Sequence, residues 1–448
     1  MHMLGNLLLT LSATSPASSV FIIVPGIFAM SGSGAFLSML LGAFVGICMA
    51  FVYAELSSAI PLAGGEYAIV GRAIGPFAGF VVMGVNLLSV ILIPAVMALG
   101  ISTYLGAVCP GLPVVATSTA TIALATVIGI LNVRANAVVT GIFLLVEMLA
   151  LAAVTLLGFG HLSRPFTDLI QHPVILNQAG TALVSAPFAV IGMATSVAVF
   201  AYNGYGTSVY FGEETHDAPR HVARAVLWAL LITVLSEITP VAAILLGVPD
   251  LRAFLGSPHM FGDFIASRGN SVLDMVVSLG IALAIFNAVI VMELQAGRCL
   301  FSTGRDEVWA APLSRALTRT HHSFHSPWVA TLACGALSAL ACLLNQNILF
   351  VVTGTGIILV YALLCAAAII GRRSGTTAHG HYRMPLFPLA PLVGFVVLAY
   401  IVYTNWLDVV IGRPSLLTTL AIAAASSLYY WLAIRRRGGW VLRGPSPS

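Results

Sequence analysis

Apolar stretches of membrane-spanning length recur along the whole sequence, and they limit the possible folds more than any other feature. Only 8% of the 448 residues are charged and 59% are hydrophobic, whereas a soluble domain carries about 25% charged residues. Such a chain cannot cover itself with a solvated surface, so we expect an integral membrane protein. One span with its connection takes about 30 residues. The chain can therefore hold about a dozen spans and no soluble catalytic domain.

Apolar runs bounded by glycine, proline or charged residues predict twelve transmembrane helices, numbered 1 to 12 in chain order. The first six are predicted at residues 7–30, 36–60, 77–105, 115–133, 138–159 and 182–211. The second six are predicted at residues 222–246, 272–299, 328–344, 349–370, 389–406 and 416–434. The expected fold class is therefore an all-α integral membrane protein.

The arginines predict how the chain is oriented. Basic residues in short loops are retained on the cytoplasmic side of a membrane, and all 19 basic residues of this chain are arginines. With the N-terminus inside, 15 of the 19 fall on the cytoplasmic side, and the others are Arg164, Arg252, Arg268 and Arg413. We expect both termini in the cytoplasm and the inner (plasma) membrane of a bacterium as the location.

Two helices carry polar interruptions inside their apolar runs. In helix 1 the sequence TSPASS spans residues 14–19, and its proline cannot donate to the helical ladder. In helix 6 the sequence YNGYG spans residues 202–206. A proline kink and a glycine packing notch are the structural alternative, but two breaks in corresponding positions are typical of transporters with a substrate site between them. The predicted substrate-binding residues are Ser15, Ala17, Ser18, Ser19, Tyr202, Asn203, Gly204 and Tyr205.

Four carboxylates lie inside the predicted spans: Glu55 in helix 2, Glu147 in helix 5, Glu237 in helix 7 and Glu293 in helix 8. No arginine lies at a comparable predicted depth, and acids at such depth commonly serve as proton carriers. We predict Glu147 and Glu293, deep in their helices, as the proton-coupling residues. Glu55, near a helix end, is interpreted as a structural acid, and Glu237 is left open between the two roles.

No motif of ATP coupling, metalloprotease or serine hydrolase chemistry occurs in the sequence. The six cysteines include no CxxC pair, so we expect no metal site. Because the catalytic and cofactor motifs are missing too, we expect no cofactor and no enzymatic activity. The arginines are scattered, which disfavours nucleic acid as a partner. The expected partners are a small-molecule substrate, protons and the lipid bilayer.

Four stretches resemble signature sequences of the amino acid–polyamine–organocation superfamily of secondary transporters. The longest, YAELSSAIPLAGGEYAIVGRAIGPFAGF at residues 53–80, runs from the end of helix 2 into helix 3. The others are FGEETHDAPRHVARAV at 211–226, GRCLFSTGRDEVWAAP at 297–312 and HYRMPLFPLAPLVG at 381–394. The resemblance implies a LeuT-type core of five plus five helices in inverted repeat, with helices 1 and 6 broken. The two repeats and the appended helices 11 and 12 would correspond to residues 1–159, 160–371 and 372–448.

The resemblance also implies roles for single residues. Relatives resemble G-[SA]-G-[IV]-F in helix 1, where the glycines expose backbone N–H groups to a substrate carboxylate; here Ala17 and Ser19 replace them. Gly206 stands where some relatives carry an acid. Glu147 stands where some proton-coupled relatives place a lysine, beside the sodium site of other members. Residues 283–286 of helix 8 offer no side-chain oxygen for sodium, so proton coupling or exchange is expected.

The predicted function is secondary active transport of amino acids or related organic amines by alternating access. The buried acids and the altered carboxylate site favour cationic substrates, such as a basic amino acid or a polyamine. A neutral amino acid permease is the alternative. From a different class, a membrane receptor or sensor would bind such a ligand without moving it.

Overall fold

The helices found in the computed structural model agree with the predicted membrane fold. The structure describes residues 1–105, 109, 111–131, 133–177, 179–257, 259–269, 271–437 and 439–444. Within this part, nine stretches are long and apolar enough to cross a membrane, and the first, Met3–Ala59, contains helices 1 and 2 in succession. Two shorter apolar helices, Val114–Gly129 and Trp328–Ala341, bring the number to twelve. The all-helical class is confirmed; residues 445–448 of the predicted C-terminal segment lie outside the described residues.

The first six helices have the following bounds. Helix 1 consists of Met3–Thr14, Pro16–Ser18, a π-helical turn Ser19–Ile23 and Val24–Ser31. Helices 2 to 5 are Ala35–Ala59, Pro76–Leu105, Val114–Gly129 and Val133–Gly160. Helix 6 consists of Phe188–Ala201 and the 3-10 segment Tyr205–Glu214.

The second six helices include a further interruption, in helix 10. Helices 7 to 9 are Ala218–Gly247, Ser271–Arg305 and Trp328–Ala341. Helix 10 consists of Gln346–Thr353 and Gly356–Ser374, helix 11 is Leu389–Leu407, and helix 12 is Gly412–Tyr429 with the turns Tyr430–Ile434 and Arg435–Arg437. The longer connections contain the short helices Glu66–Ala73, Asp168–Gln171, Leu251–Gly256, Met260–Arg268 and Ala311–Leu317.

The predicted start of helix 6 at residue 182 is wrong. Leu183–Ser185 is a β-strand that pairs antiparallel with Val174–Leu176, and the helix begins only after Pro187. A short apolar run does not reveal by itself whether it is a strand or the first turn of a helix. Pro187, which cannot donate to a preceding helical turn, marks the true boundary.

Helix 10 is interrupted between Thr353 and Gly356, where the sequence predicted a continuous helix. The Thr355 hydroxyl lies 2.7 Å from the Thr419 hydroxyl and accepts a hydrogen bond from Ser415 at 3.0 Å, both on helix 12. The small residues at this point let helix 12 approach closely. The contacts between the hydroxyl groups also give the polar side chains hydrogen-bond partners inside the membrane.

Helix 1 runs through the interior of the bundle. Its first segment packs against helices 5, 7 and 8 and against the second segment of helix 6, and Leu9 and Val24 are fully buried. Helix 12 lies at the periphery, where only three residues of its segment Gly412–Tyr429 are buried. Irregular backbone at membrane depth persists only where protein or a water-filled cavity surrounds it, and helix 1 meets this condition.

The outer surface of the bundle is apolar. Leu156, Phe188 and Val396 are 72%, 75% and 71% exposed. Large exposed apolar surfaces are rare on soluble monomers. This surface is therefore suited to face lipid hydrocarbon.

Ion pairs gather at the end of the bundle that carries the N-terminus, which we call the N-terminal end. Arg298 pairs with Glu214 and Arg305 pairs with Glu213, each with an N–O distance of 2.7 Å. The amino group of Met1 donates a hydrogen bond to the Glu214 carbonyl. These contacts tie helices 1, 6 and 8 together at this end.

The opposite end of the bundle carries a separate group of arginines. Arg164 donates to the carbonyls of Leu245 and Val248, and Arg268 donates to the carbonyl of Gly247. The guanidinium groups thereby cap the end of helix 7, whose last carbonyls have no helical partner.

The C-terminal tail, residues 439–444, crosses the N-terminal end. The Trp440 ring lies 5.7 Å from the Tyr67 ring, and the Arg443 N–H donates to Oδ1 of Asp306 at 2.9 Å. Tyr67 donates to the other oxygen of Asp306 at 3.0 Å. Burial raises the pKa of Asp306 to about 6, although the Arg443 N–H and the nearby Arg305 charge act in the opposite direction.

Candidate functional site

The backbone of helix 1 is broken at Ser15. Its φ of 45° lies in the left-handed region, which residues other than glycine seldom adopt. Pro16 follows and has no N–H with which to continue the ladder. Helical backbone resumes at Pro16, first as the α-helical turn Pro16–Ser18 and then as the π-helical turn Ser19–Ile23, so only Ser15 leaves the right-handed helical conformation.

The breaks of helices 1 and 6 lie against each other. Gly204 has a φ of 126°, and a Cβ atom at this position would come within 2.6 Å of the Thr14 Cα. The Ser19 hydroxyl donates to the Ala201 carbonyl at 2.8 Å. Only glycine suits both the backbone conformation and the close approach. The structure thus brings together the two breaks between which the sequence predicted a substrate site.

A cavity of about 160 Å³ opens beside the two breaks and is enclosed by helices 1, 2, 3, 6, 8 and 10. Its apolar lining includes Ile22, Ile23, Ile93, Met97, Phe200, Ile357 and Val360. Its polar lining includes Thr14, Ser18, Ser19, Tyr53, Glu66, Asn86, Ser89, Asn203, Thr207, Gln295 and Thr353. No arginine or histidine is among the described lining residues. An apolar cavity with a few convergent polar groups is the usual form of a small-molecule site.

The predicted substrate-binding residues fall into two groups. Ser18, Ser19, Asn203 and Gly204 line the cavity. The other four are buried in the protein and are not among the lining residues: Ser15, Ala17, Tyr202 and Tyr205.

The two tyrosines of the helix 6 break are buried in different surroundings. Tyr202 is fully buried, and its hydroxyl has no hydrogen-bond partner among the described residues. The Tyr205 hydroxyl lies 3.3 Å from the Tyr361 hydroxyl, which itself donates to Oδ1 of Asn203 at 2.7 Å. In this conformation neither ring is therefore placed to cover a ligand ammonium group.

Glu147 of helix 5 reaches into the break of helix 1. Its Oε1 accepts the Ala17 N–H at 2.8 Å and lies 3.0 Å from the Ser15 hydroxyl. The Ser15 hydroxyl also lies 3.4 Å from the carbonyl of Ala284 on helix 8. Oε2 has no hydrogen-bond partner among the described residues. The carboxyl group thus accepts a hydrogen bond from a backbone N–H that has no helical partner at the break. A backbone N–H of this kind is a favourable partner for an anionic oxygen.

Glu237 of helix 7 is a second acid beside the break. It is fully buried next to Ser19 and within electrostatic range of Glu147. The Ser19 hydroxyl is engaged with the Ala201 carbonyl, so neither oxygen of Glu237 has a hydrogen-bond partner among the described residues. A buried ion without partners is costly.

Glu293 of helix 8 lies on a different side of that helix. Its neighbours Met292 and Gln295 line the cavity, whereas Glu293 lies beside Ser338 and Cys334 of helix 9. Like Glu237 it is fully buried and without a hydrogen-bond partner in the described part of the chain. The structure therefore separates it from the predicted site.

The expectation that no arginine lies near the membrane acids is wrong for Glu55. Arg372, at the end of helix 10, forms two hydrogen bonds of 2.6 Å with its carboxylate, and the Met384 N–H donates a third at 2.8 Å. This bidentate pair explains Glu55 as a structural acid. The partner lies 317 positions along the chain, where no local pattern indicates it.

Glu66 is a site residue that the sequence analysis missed. It begins the short helix Glu66–Ala73 between helices 2 and 3, lines the cavity and is only 7% exposed. Tyr53 donates to its Oε1 at 3.0 Å, and Asn86 donates to its Oε2 at 3.3 Å. Glu66 lies in a connection, whereas the acids predicted from the sequence all lie inside the spans. The signal was present as GGEY within the stretch 53–80, next to glycines that let the chain turn inward.

No cluster of three or more potential metal-binding side chains occurs in the described part of the chain. The cavity instead presents hydroxyl, amide and carboxyl side chains to a ligand, next to the breaks in helices 1 and 6. Such groups bind and orient a small polar molecule.

The sequence is similar to known transport proteins along most of its length. The family model described as amino acid permease matches residues 6–433. The branched-chain amino acid permease BcaP of Bacillus subtilis (strain 168) is 22% identical over 414 residues, which cover 87% of this chain and 86% of that protein. The serine/threonine exchanger SteT of the same strain is 23% identical and covers 84% of each chain. The low-affinity putrescine importer PlaP of Escherichia coli (strain K12) is 23% identical over 65% of this chain and 63% of its own length.

The match extends over nearly the whole chain and includes both broken helices and the cavity between them. It agrees with the LeuT-type fold that the four signature stretches implied, and the family consists of transporters, not enzymes. The chain therefore belongs to the amino acid permease family of the amino acid–polyamine–organocation superfamily.

Proposed function

We propose that this permease moves a cationic amino acid or a related organic amine by alternating access. The observation that carries the proposal is the cavity beside the two touching breaks, which has one carboxyl group and no arginine or histidine among its described lining residues. Broken helices at a central site let one part of the bundle rock against the other. A basic amino acid and a polyamine are the substrates best matched in charge.

A neutral amino acid is the second candidate. The apolar part of the lining, which includes Ile23, Ile93 and Val360, suits an aliphatic side chain. The relative BcaP is named a branched-chain amino acid permease, whereas PlaP is named a putrescine importer. The two names support different candidates at similar identity, so the choice depends on the site.

We further propose that transport is coupled to protons through Glu147. The carboxyl lies at the break of helix 1 and holds the Ala17 N–H, so a change in its charge alters the contact that fixes the broken backbone. Glu293 is the competing proton carrier, since it too is buried without a partner in the described residues. Ser18, Ser19, Asn203 and Gly204 are the proposed substrate contacts, and movement of helices 1 and 6 would bring in Ser15, Ala17, Tyr202 and Tyr205.

We propose that the N-terminal end faces the cytoplasm of a bacterial cell and that the protein resides in the inner membrane. In support, that end holds the ion-paired Arg298 and Arg305, and basic residues are retained on the cytoplasmic side. The closed contacts among Met1, Glu214 and Arg298 would then form the inner gate.

A thermal-shift screen of amino acids and amines on the purified protein tests the substrate class, because a ligand that binds the native state raises the unfolding midpoint. Hits are then assayed for uptake into proteoliposomes. Asn203→Ala, in the cavity lining, should weaken the response, whereas Thr181→Ala, on the exposed hairpin, should not. Binding without uptake would instead identify a sensor, and no response to any amine or amino acid would refute the proposed function.

A further inference from the structure

Glu66 is the one carboxyl group among the described residues that line the cavity. It is only 7% exposed, and no arginine or histidine of the described chain lies within ion-pair distance of it. An ionised carboxylate in such a place pays a desolvation cost that a nearby cation would offset. The described part of the chain supplies no such cation here.

The carboxyl group of Glu66 is held in place yet keeps capacity for a ligand. Tyr53 and Asn86 each donate one hydrogen bond, to Oε1 and Oε2 respectively, and the Tyr210 hydroxyl lies within hydrogen-bonding range of the same carboxyl group. Each carboxylate oxygen can accept about two hydrogen bonds. A carboxylate with three such neighbours can still accept a contact from an ammonium group that enters the cavity beside Tyr53.

The surroundings of Glu66 also suit a cation. The Tyr53 ring meets the rings of Tyr205 and Tyr361 edge to face, with centroids 5.7 and 5.8 Å apart. Tyr361 in turn donates to Asn203 of the helix 6 break. This aromatic cluster links Glu66 to the break, and of its three rings only that of Tyr53 is among the described lining residues of the cavity, where an aromatic ring favours a neighbouring ammonium group.

A ligand carboxylate finds weaker anchors in the same cavity. The Ala17 N–H, a donor released by the break of helix 1, is already bound to Glu147. The hydroxyl of Ser19 is engaged with the Ala201 carbonyl. In the described lining a ligand carboxylate therefore meets neutral donors such as the amides of Asn203 and Gln295, whereas an ammonium group meets the carboxyl group of Glu66.

We propose that Glu66 is the counter-charge for a substrate ammonium group and makes the site selective for substrates of net positive charge. This inference rests on the proposed transport function and deepens it. Glu66 is thus a specificity-determining residue contributed by the connection between helices 2 and 3, outside both broken helices.

The test measures binding of three probes to the purified full-length protein by calorimetry: lysine, 1,5-diaminopentane and norleucine. Norleucine keeps the aliphatic chain of lysine and lacks its second ammonium group. The wild type should bind at least one cationic probe more tightly than norleucine. Glu66→Gln should weaken that binding about tenfold or more, as expected on losing a hydrogen bond to a charged group, and should change norleucine binding much less.

Two further variants keep the result interpretable. Glu66→Asp retains the charge and should retain the preference for cations, even if Glu66→Gln unfolds. Glu307→Gln removes an exposed carboxyl outside the cavity and should change nothing. Unaltered cation preference in a folded Glu66→Gln, or a wild type that prefers norleucine, would overturn this inference and leave the transport function intact. A wild type that binds neither these probes nor any other amino acid or amine would overturn both.

Discussion

The backbone N–H of Ala17 donates a hydrogen bond to Oε1 of Glu147 over 2.8 Å, although the two residues are 130 positions apart. Hydrogen bonds to an ionised acceptor are about twice as strong as neutral ones. Protonation of Glu147 would therefore loosen its hold on the break of helix 1. This contact gives the proposed coupling residue a physical route to the part of the site that must move.

We predict that Glu147→Gln removes the pH dependence of uptake. Glutamine keeps the shape and can still accept the Ala17 N–H, but it cannot release a proton. Exchange of substrate across the membrane should persist at least in part, because exchange need not return an empty, deprotonated carrier. The measurement is uptake and counterflow of a labelled substrate in proteoliposomes over a range of external pH.

Glu293→Gln is the matched comparison, since Glu293 is equally buried but lies beside helix 9. If Glu147 carries the proton, this variant keeps a wild-type pH profile. An unaltered profile in Glu147→Gln with a flattened one in Glu293→Gln would transfer the role to helix 8.

Glu55→Gln should destabilise the protein without changing the pH profile of uptake. It removes the charge that pairs with Arg372 through two 2.6 Å contacts and leaves that guanidinium, 18% exposed, without its counter-ion. Breaking such a buried pair costs about 3 kcal/mol. The control is Glu307→Gln, whose pair with Arg443 is exposed and contributes at most about 1 kcal/mol. Equal thermal midpoints for the two variants in detergent would contradict this assignment.

We predict that the free energy of unfolding depends on pH through Asp306 at the N-terminal end. Burial raises the pKa of Asp306 from 3.8 to about 6 in the folded protein, so folding favours its protonated form. The stabilisation of the folded protein by protonated Asp306 is fully present when the pH is below 3.8, the ordinary pKa of aspartate. It is lost as the pH rises through about 6. The difference amounts to at most about 3 kcal/mol.

Asp306→Asn isolates this effect, because asparagine keeps an acceptor for the Arg443 N–H and does not titrate. The unfolding midpoint of the wild type should fall relative to that of Asp306→Asn as pH rises through about 6. A wild type that gains stability relative to the variant over the same range would show that the ionised carboxylate is the favoured form.

Cysteine labelling tests the proposed orientation. Cys109 is exposed and the other five cysteines are buried, so a Cys109→Ser background should react little with a membrane-impermeant thiol reagent. Thr181→Cys, in the connection that carries Arg164, should label from outside intact cells. Ser323→Cys, in the connection that follows Arg305, should label only after permeabilisation. The opposite pattern would invert the topology.

The spans and the two breaks follow from the sequence because their causes are local. Twenty apolar residues must leave water wherever they occur in a chain, and Pro16 and Gly204 disturb the backbone through their own covalent structure. Helix 6 begins later than predicted, since only the pairing of Leu183–Ser185 with Val174–Leu176 distinguishes a strand from a helical turn.

The partners of the acids were decided by the tertiary structure. Arg372 reaches Glu55, Ala17 reaches Glu147, and Glu66 turns into the cavity from a connection between spans. In a membrane helix both lipid-facing and buried faces are apolar, so periodicity does not reveal which face meets which neighbour. The sequence alone therefore determined that this chain crosses the membrane on broken helices. Long-range packing decided which carboxyl groups have partners and which one lines the cavity.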